Sequence, residues 1–587
     1  MDKSENKNNS KKKKSIVPDC IFAAVLILLP FLHLAFGVEF TDTVYSPGNY
    51  ENLQSMNLTW TIATFWANML GKAFTLLPLG HTLIGMKFYT TLIPVAGVLT
   101  SYFYLKKYIP RVIVFLGEIL AISLFWCPTT IIYNYLTYLL FTLATIVLIE
   151  SLIKDKRFGL VAAGIILAFN VFVRFPNITE VALIAAVWFA AKKNKKKFIG
   201  GFIDTLICVV GFIAGLFINV AIIGAMYGFS SIPGMITSLF SMTGNNTGYK
   251  PLQMVLSMFR VYAQFTKSFI LLIGITVLCF AVSAIMKKHF ARIITIVAQF
   301  ILYGGFLFWG YRNHVFTLNF TDYPSVVFWM VVFFVIGHIL SIWALLRKRT
   351  STEHKLMALA VLIILWITPL GSNNALFPSM NNLFITAPVI IFLCWHEMFE
   401  GRNFFELLDL EARNTMVASR IMIALLIVCI YVSGLIFGFV FIFRDPGFPY
   451  ANSVEIKNNE VLVGMHTNPQ RAALIAELNG YVKRRGLTGQ KAIFYGNIPG
   501  FEYIFKMPCA ISHSWPDLGS FSDADFKKDI DSLTEKPVIF INEDYCKDIF
   551  DLTNEATNKE LFLADYMVNN DYKLKIRIGN IAIYGVY

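Results

Sequence analysis

Val38-Glu39-Phe40-Thr41-Asp42-Thr43-Val44-Tyr45-Ser46-Pro47-Gly48-Asn49-Tyr50 follows directly on an apolar run from Pro18 to Val38. A basic stretch, Lys11-Lys12-Lys13-Lys14, precedes that run and gives it the outline of a signal peptide. No small-residue cleavage pattern follows, however, and further apolar runs come later in the chain. The run is therefore read as a first membrane helix, and the segment after it holds two carboxylates, Glu39 and Asp42, at the outer membrane face. Acids at the mouth of a helical bundle are costly as packing material.

The bulk numbers agree with that reading. Of 587 residues, 56% are hydrophobic, and the mean hydropathy of +0.61 is too high for a soluble globular chain. The formal charge of +13 does not imply nucleic acid, because the basic clusters Lys11 to Lys14 and Lys192 to Lys197 abut apolar runs and no recognition motif accompanies them. Taking roughly 20 residues per crossing, later helices are expected at about 82–105, 112–127, 130–152, 158–173, 178–191, 199–224, 268–286, 293–310, 325–345, 355–370, 381–398 and 420–443. That makes about thirteen.

Lysine and arginine alternate between the loops as a cytoplasmic amino terminus requires: Lys106-Lys107 with Arg111, Lys154 to Arg157, Lys192 to Lys197, Lys287-Lys288, Arg347 to Arg349, and Arg402 with Arg413 and Arg420. An odd number of crossings then places the carboxyl-terminal part outside a plasma membrane. Three parts are expected: a cytoplasmic basic tail (1–17), a transmembrane domain (18–443) with a long outer loop (39–81), and an extracytoplasmic α/β domain (444–587). Within the long loop, residues 57–70 have helical apolar spacing and are read as an interfacial helix. The stretch 228–266, interrupted by Gly234, Gly244 and Gly248, is read as a second long outer loop with an interfacial or re-entrant helix.

After Arg444-Asp445-Pro446-Gly447 the composition turns polar. Thr467-Asn468-Pro469 opens a helix that Gly486 closes. Residues 492–495 and 538–541 read as buried strands, with helices near 501–506, 523–533 and 559–569 and a hairpin around Gly579-Asn580. Cys509 and Cys546 are the only cysteines of this part; a disulfide and two free thiols are both open.

Asp42 can act as a general base if an acceptor hydroxyl comes within hydrogen-bonding reach; the alternative is a solvated loop acid or helix cap. Arg174, in Asn170-Val171-Phe172-Val173-Arg174-Phe175-Pro176-Asn177, puts positive charge at an outer helix end, against the usual bias. It suits a phosphate, or a structural pair with Glu180. Lys87, Arg312, His314, Arg260 and Lys267 are further candidate cations, and Tyr45 and Tyr50 candidate sugar-stacking rings. Glu118, Asp204 and His338 lie deeper, where a proton relay would need them. In the tail, Gly496 to Gly500 has the position of an anion-binding turn, and Ser512-His513-Ser514-Trp515-Pro516-Asp517 is a candidate cap over the membrane cavity.

With Glu39 to Tyr50 as the local motif and the order of runs as the global one, the chain resembles the GT-C superfamily of membrane glycosyltransferases, which includes the protein O-mannosyltransferases and the bacterial lipid A aminoarabinose transferase. The resemblance implies a sugar donor linked to polyprenyl phosphate, an extracytoplasmic acceptor of unknown identity, Asp42 as the catalytic base and Glu39 as a weaker candidate. Many relatives carry adjacent acids in the first loop and another in the next outer loop; here Glu39 and Asp42 are three apart and Cys127-Pro128-Thr129-Thr130 has none, so a divalent metal is unsupported. Two other classes stand beside this reading: a transporter or lipid flippase of the cell envelope, and a non-catalytic envelope-assembly protein.

Overall fold

The computed structural model describes residues 16–234, 236–237, 251–285, 289–315, 317, 319–322, 324–372, 374–397, 413–445, 447–546, 549–550 and 556–586. The basic start, Gly244 to Gly248, Lys287-Lys288 and Arg402 lie outside these. The first part of the chain is helical: α1 (Val17–Leu28), α2 (Asp42–Glu51), α3 (Leu58–Ala63), α4 (Phe65–Thr75), α5 (Leu83–Leu105), α6 (Arg111–Ser123), α7 (Ile132–Lys154), α8 (Arg157–Val171), α9 (Ile184–Lys193) and α10 (Phe198–Tyr227). It continues with α11 (Pro251–Ile285), α12 (His289–Arg312), α13 (Pro324–Leu346), α14 (Thr352–Ile367), α15 (Phe377–Asn381), α16 (Thr386–Trp395) and α17 (Arg413–Val440).

Eight helices among the described residues are long and apolar enough to cross a membrane, which makes this a polytopic membrane protein. The expectation of about thirteen crossings leans on five more, α1, α6, α8, α14 and α16, of 10 to 16 residues, shorter than the roughly 20 that a perpendicular span needs. The environment is legible in α10. Phe202, Leu206, Val210, Ile213 and Phe217 are exposed along one stripe, while Gly201, Asp204, Cys208, Gly211, Gly215 and Asn219 are buried on the other face. Large apolar groups face outward and small or polar ones inward, the pattern of a helix solvated by lipid. At Gly211 an added Cβ would lie 2.2 Å from the Val161 carbonyl oxygen, so α8 and α10 approach closer than larger side chains allow.

Two expectations for the loops need correction. α11 begins at Pro251 and runs 35 residues, so residues 251–266 are helix and not loop. Gln253, Arg260, Gln264 and Lys267 lower the local hydropathy without ending a helix, and proline is well placed in a first turn. The helix expected over 57–70 is also two helices, with Asn57 capping α3 through the Thr59 N–H (2.8 Å) and a break at Thr64. α4 packs into the bundle: Phe65 joins Val171, Phe172 and Ile223, and the Trp66 indole donates to Asn219 Oδ1 at 2.6 Å.

The tail contains α18 (Pro449–Asn452), α19 (Pro469–Arg484), α20 (Phe501–Ile504), α21 (Asp523–Asp531) and α22 (Asn558–Asn569), with β1 (Val454–Glu455), β2 (His466–Thr467), β3 (Ala492–Tyr495), β4 (Val538–Asn542), β5 (Lys573–Ile578) and β6 (Ile581–Gly585). The main sheet has the order β3-β4-β6-β5. β3 and β4 are parallel, and β6 runs antiparallel to both neighbours. Asn468 caps α19 by accepting the Arg471 N–H at 2.9 Å, and Gly486 follows with φ +62°, a conformation that costs glycine least.

The α/β core does not stop at Arg444. Val38, Val44 and Leu83 are buried in the same cluster as Ile475, Phe494 and Phe501, and the Gly500 N–H donates to the Phe40 carbonyl at 2.7 Å. At Gly500 an added Cβ would meet that carbonyl oxygen at 2.6 Å and Val44 Cβ at 2.9 Å. Gly500→Leu is therefore expected to cost about 1–3 kcal/mol by overpacking, seen in detergent as a lower Tm and faster protease cutting near residue 444. Gly519→Ala, with nothing within 4 Å of the new Cβ, should leave both unchanged; equal behaviour of the two variants would mean that this seam does not carry the tail.

Candidate functional site

The site is built where α2 begins. Glu39 folds back onto the start of the helix: its Oε1 accepts the Thr41 N–H (2.8 Å) and the Thr41 hydroxyl, and its Oε2 accepts the Thr43 N–H (3.0 Å). The first amides of a helix have no partner within it, so a buried carboxylate here caps α2 and meets the positive end of its dipole. Glu39 is accordingly placed as a cap. Burial, and secondarily the Asp42 charge, raises its carboxyl from 4.5 to about 7 against the pull of these donors and of Arg444.

Asp42, in the first turn of the same helix, accepts no hydrogen bond among the described residues and keeps 30% of its side-chain surface open. Burial pushes its carboxyl up and Arg444 holds it down. Arg444 comes from the far end of the sequence. Its Nη1 donates to Thr41 Oγ1 at 2.8 Å and lies 3.7 Å from Glu39 Oε1 and 3.9 Å from Asp42 Oδ2. Its backbone is left-handed, φ +48°, and its guanidinium stacks on the Phe443 ring at 5.1 Å. In the sequence Arg444 marks the change to polar composition, and it carries the same signal as Arg174: an isolated cation following an apolar helix.

Asp42 opens onto a cavity of about 360 Å³ whose wall also includes Tyr45, Trp60, Trp126, Arg174 and Trp515. Arg174 follows α8 in extended conformation and donates from Nη2 to the Gly371 carbonyl at 2.5 Å. The expected alternative, a pair with Glu180, is not formed among the described residues: Glu180 instead accepts from Asn170 Nδ2 at 2.7 Å. Tyr50 also lines the cavity, but its hydroxyl is committed to the Thr130 carbonyl (3.0 Å) and the Ile132 N–H (3.3 Å).

Lys87 is elsewhere. It donates to the carbonyls of Phe36 (2.5 Å) and His33 (3.1 Å) and lines a smaller cavity of about 120 Å³, which shares Trp126 and Cys127 with the first. Arg312 and His314 are exposed at the end of α12, and Arg260 and Lys267 along α11. Asp204 pairs with Lys196 (2.9 Å) and Arg157 (3.6 Å), and His338 bonds the carbonyl of Phe334 in its own helix. Among the described residues no three His, Cys, Asp or Glu side chains gather as a metal site requires.

The tail contributes Trp515, Leu518 and Ser520 to the cavity wall and is bound to α2 and α3 through residues 512–514. Ser512 accepts the Asn57 N–H at 2.9 Å, Ser514 Oγ donates to Asn49 Oδ1 at 3.2 Å, and His513 lies 3.3 Å from the Tyr45 hydroxyl. Because His513 Nδ1 accepts the Trp515 N–H (3.1 Å), its proton sits on Nε2 and donates to Tyr45. Burial, then the Lys559 charge, lowers His513 to about 3 and keeps it neutral. The turn at Gly496-Asn497, whose amides suit an anion, is filled from within by Asp517, at 3.2 and 2.9 Å. Cys509 and Cys546 are both buried, with no disulfide between them.

No family model and no curated protein matches the sequence. Among solved structures the chain is similar to the Archaeoglobus fulgidus oligosaccharyltransferase in complex with zinc and sulfate, at 11% identity over 89% of this chain and 68% of that one, TM-score 0.42. It is similar also to the same archaeal oligosaccharyltransferase, AglB, in complex with an inhibitory peptide and a dolichol-phosphate, at 11% identity over 97% and 74%, TM-score 0.42. The likeness lies in the general course of the chain and carries no residue or reaction across.

The Glu39 carboxyl gives a pH test. The folded state holds this proton up to about pH 7, whereas the unfolded chain releases it near 4.5. Between these values the folded state binds more protons, so its stability falls as pH rises through the window and levels off above it, by about 3 kcal/mol in all. In Tm measurements against pH, Glu39→Gln should make this slope shallower by the Glu39 share, leaving the part due to Glu51 and Glu502, which burial also raises to about 7, and Arg444→Ala should move the Glu39 share to higher pH. An unchanged slope in Glu39→Gln would assign the titration to another group.

Proposed function

We propose that the chain is a membrane glycosyltransferase that transfers a sugar from a polyprenyl-phosphate-linked donor to an extracytoplasmic acceptor, with residues 18–443 embedded and 444–587 facing outward. One observation supports this above others: Asp42 and Arg174, far apart in sequence, open onto a single cavity walled by aromatic rings. The base and the phosphate cation of such a reaction must share one chamber.

The donor lipid enters between helices with its phosphate toward Arg174. Arg174 spends one N–H on Gly371, which fixes the guanidinium, and its other donors meet the phosphate oxygens. The acceptor hydroxyl oxygen attacks the anomeric carbon, the bond from that carbon to the phosphate oxygen breaks, and Asp42 takes the hydroxyl proton. The leaving polyprenyl phosphate carries its negative charge against Arg174, which stabilises it as that charge develops. Inversion at the anomeric carbon follows from a single displacement. Trp60, Trp126 and Tyr45 give the sugar apolar faces to lie on, and His513 fixes the Tyr45 hydroxyl.

Asp42→Asn should lower transfer by about 10²- to 10⁴-fold with binding of polyprenyl phosphate unchanged; transfer at the normal rate would remove Asp42 from the reaction. In native mass spectrometry of the detergent-purified protein, polyprenyl phosphate should bind one to one, and Arg174→Ala should weaken it about tenfold or more, the worth of a charge-assisted contact. Binding no better than that of ordinary phospholipids would instead favour the transporter or assembly readings.

A further inference from the structure

A second, larger opening adjoins the site from the tail side, a groove of about 1120 Å³ that shares Trp515 with the Asp42 cavity and reaches Glu39, Thr41 and Arg444. It lies outside the carboxyl ends of β3 and β4, where Asn497 and Asn542 stand, and beside the β5–β6 turn at Asn580. Loops at the carboxyl ends of parallel strands gather polar groups without disturbing the sheet, which makes this end of an α/β layer suited to binding.

The groove's chemistry is specific. Asn497 Oδ1 accepts the Trp515 indole N–H (3.2 Å), and Asn542 Oδ1 accepts from Asn580 Nδ2 (3.0 Å) and the Asp544 N–H (3.1 Å). Each of these three amides is thus held by one end. Among the described residues the other ends, Nδ2 of Asn497, Nδ2 of Asn542 and Oδ1 of Asn580, have no partner. Pinned side chains that offer donors and an acceptor side by side match a ligand whose groups both donate and accept. The two arginines of the groove are already engaged: Arg471 with Asp445 at 3.3 Å and over the Phe40 ring at 5.4 Å, Arg444 with Glu39 and Asp42. A multiply charged anion would find few free cations, and an extended peptide seeking an open strand edge finds strand ends instead. Tyr545, 63% exposed, presents a flat apolar face at the rim.

We propose that this groove binds a polyhydroxylated chain, an oligosaccharide, and delivers its terminal hydroxyl past Arg444 to Asp42. The assignment of that oligosaccharide as acceptor rests on the transferase reading; the binding itself does not. The full-length protein in detergent is applied to an array of microbial surface oligosaccharides printed beside acidic, basic and neutral peptides, and polyprenyl phosphate binding is measured on the same preparations. The proposal expects retention on oligosaccharides that falls at least tenfold in Tyr545→Ala and in Asn542→Ala, with polyprenyl phosphate binding at the level of the unsubstituted protein. Retention on peptides alone, on no oligosaccharide, or undiminished in both variants overturns it. Oligosaccharide retention without specific polyprenyl phosphate binding would keep the groove and remove the transferase reading.

Discussion

The position of α2 is the constraint on which the site depends. A ten-residue helix with a proline inside it and almost no net hydrophobicity has little stability of its own. It is held from both sides. Val44 is buried with the tail's Phe494 and Phe501, the Tyr50 ring sits against Gly71 of α4, and Arg444 bonds the Thr41 hydroxyl at its first turn. Because Asp42 begins this helix and Glu39 caps it, whatever shifts the tail shifts the carboxylates.

Two acids three residues apart acquire different characters from that arrangement. Glu39 spends both oxygens on backbone amides and a hydroxyl, as a cap does. Asp42 is left with only the distant edge of Arg444 and an open path to the cavity. Glu39 is not on the wall of the Asp42 cavity, and its donors only partly offset the burial that raises its carboxyl to about 7. The difference in role is therefore set by access to the cavity more than by burial, which raises both.

Much of the fold was readable from local rules. The tail helix from Pro469, its Asn468 cap, the buried strands at 492–495 and 538–541 and the hairpin at Gly579-Asn580 all follow from propensity, capping and turn chemistry. Where hydropathy alone was the guide, ends were misplaced: α11 starts well before the apolar run that marked it, because helical hydrogen bonds tolerate polar side chains that a lipid-transfer window counts against a span. Of the site, the sequence offered Asp42 beside Glu39, Arg174 among several cations and Tyr45 among several rings. It gave no means of separating Lys87, which caps carbonyls near α1, from Arg174, nor of joining Arg444 to residues four hundred positions earlier. Pairings at that separation are decided by tertiary packing, which no local pattern encodes.

On the proposed transferase reading, the seam between bundle and tail also accounts for the division of the site between the two. A lipid-borne sugar and a polar acceptor come from media of opposite character, and a site serving both must contact each without admitting one into the other's path. Trp515 stands at that boundary, lining the Asp42 cavity on one side and the amide groove on the other. Its indole N–H is tied to Asn497 and its ring lies edge-on to Tyr45 at 5.4 Å, so one side chain is anchored in both walls. On that reading, the proximity of donor and acceptor is set by how firmly 512–517 is bound to α2 and α3, through Asn49, Asn57 and Tyr45, and transfer would depend on that docking as well as on Asp42.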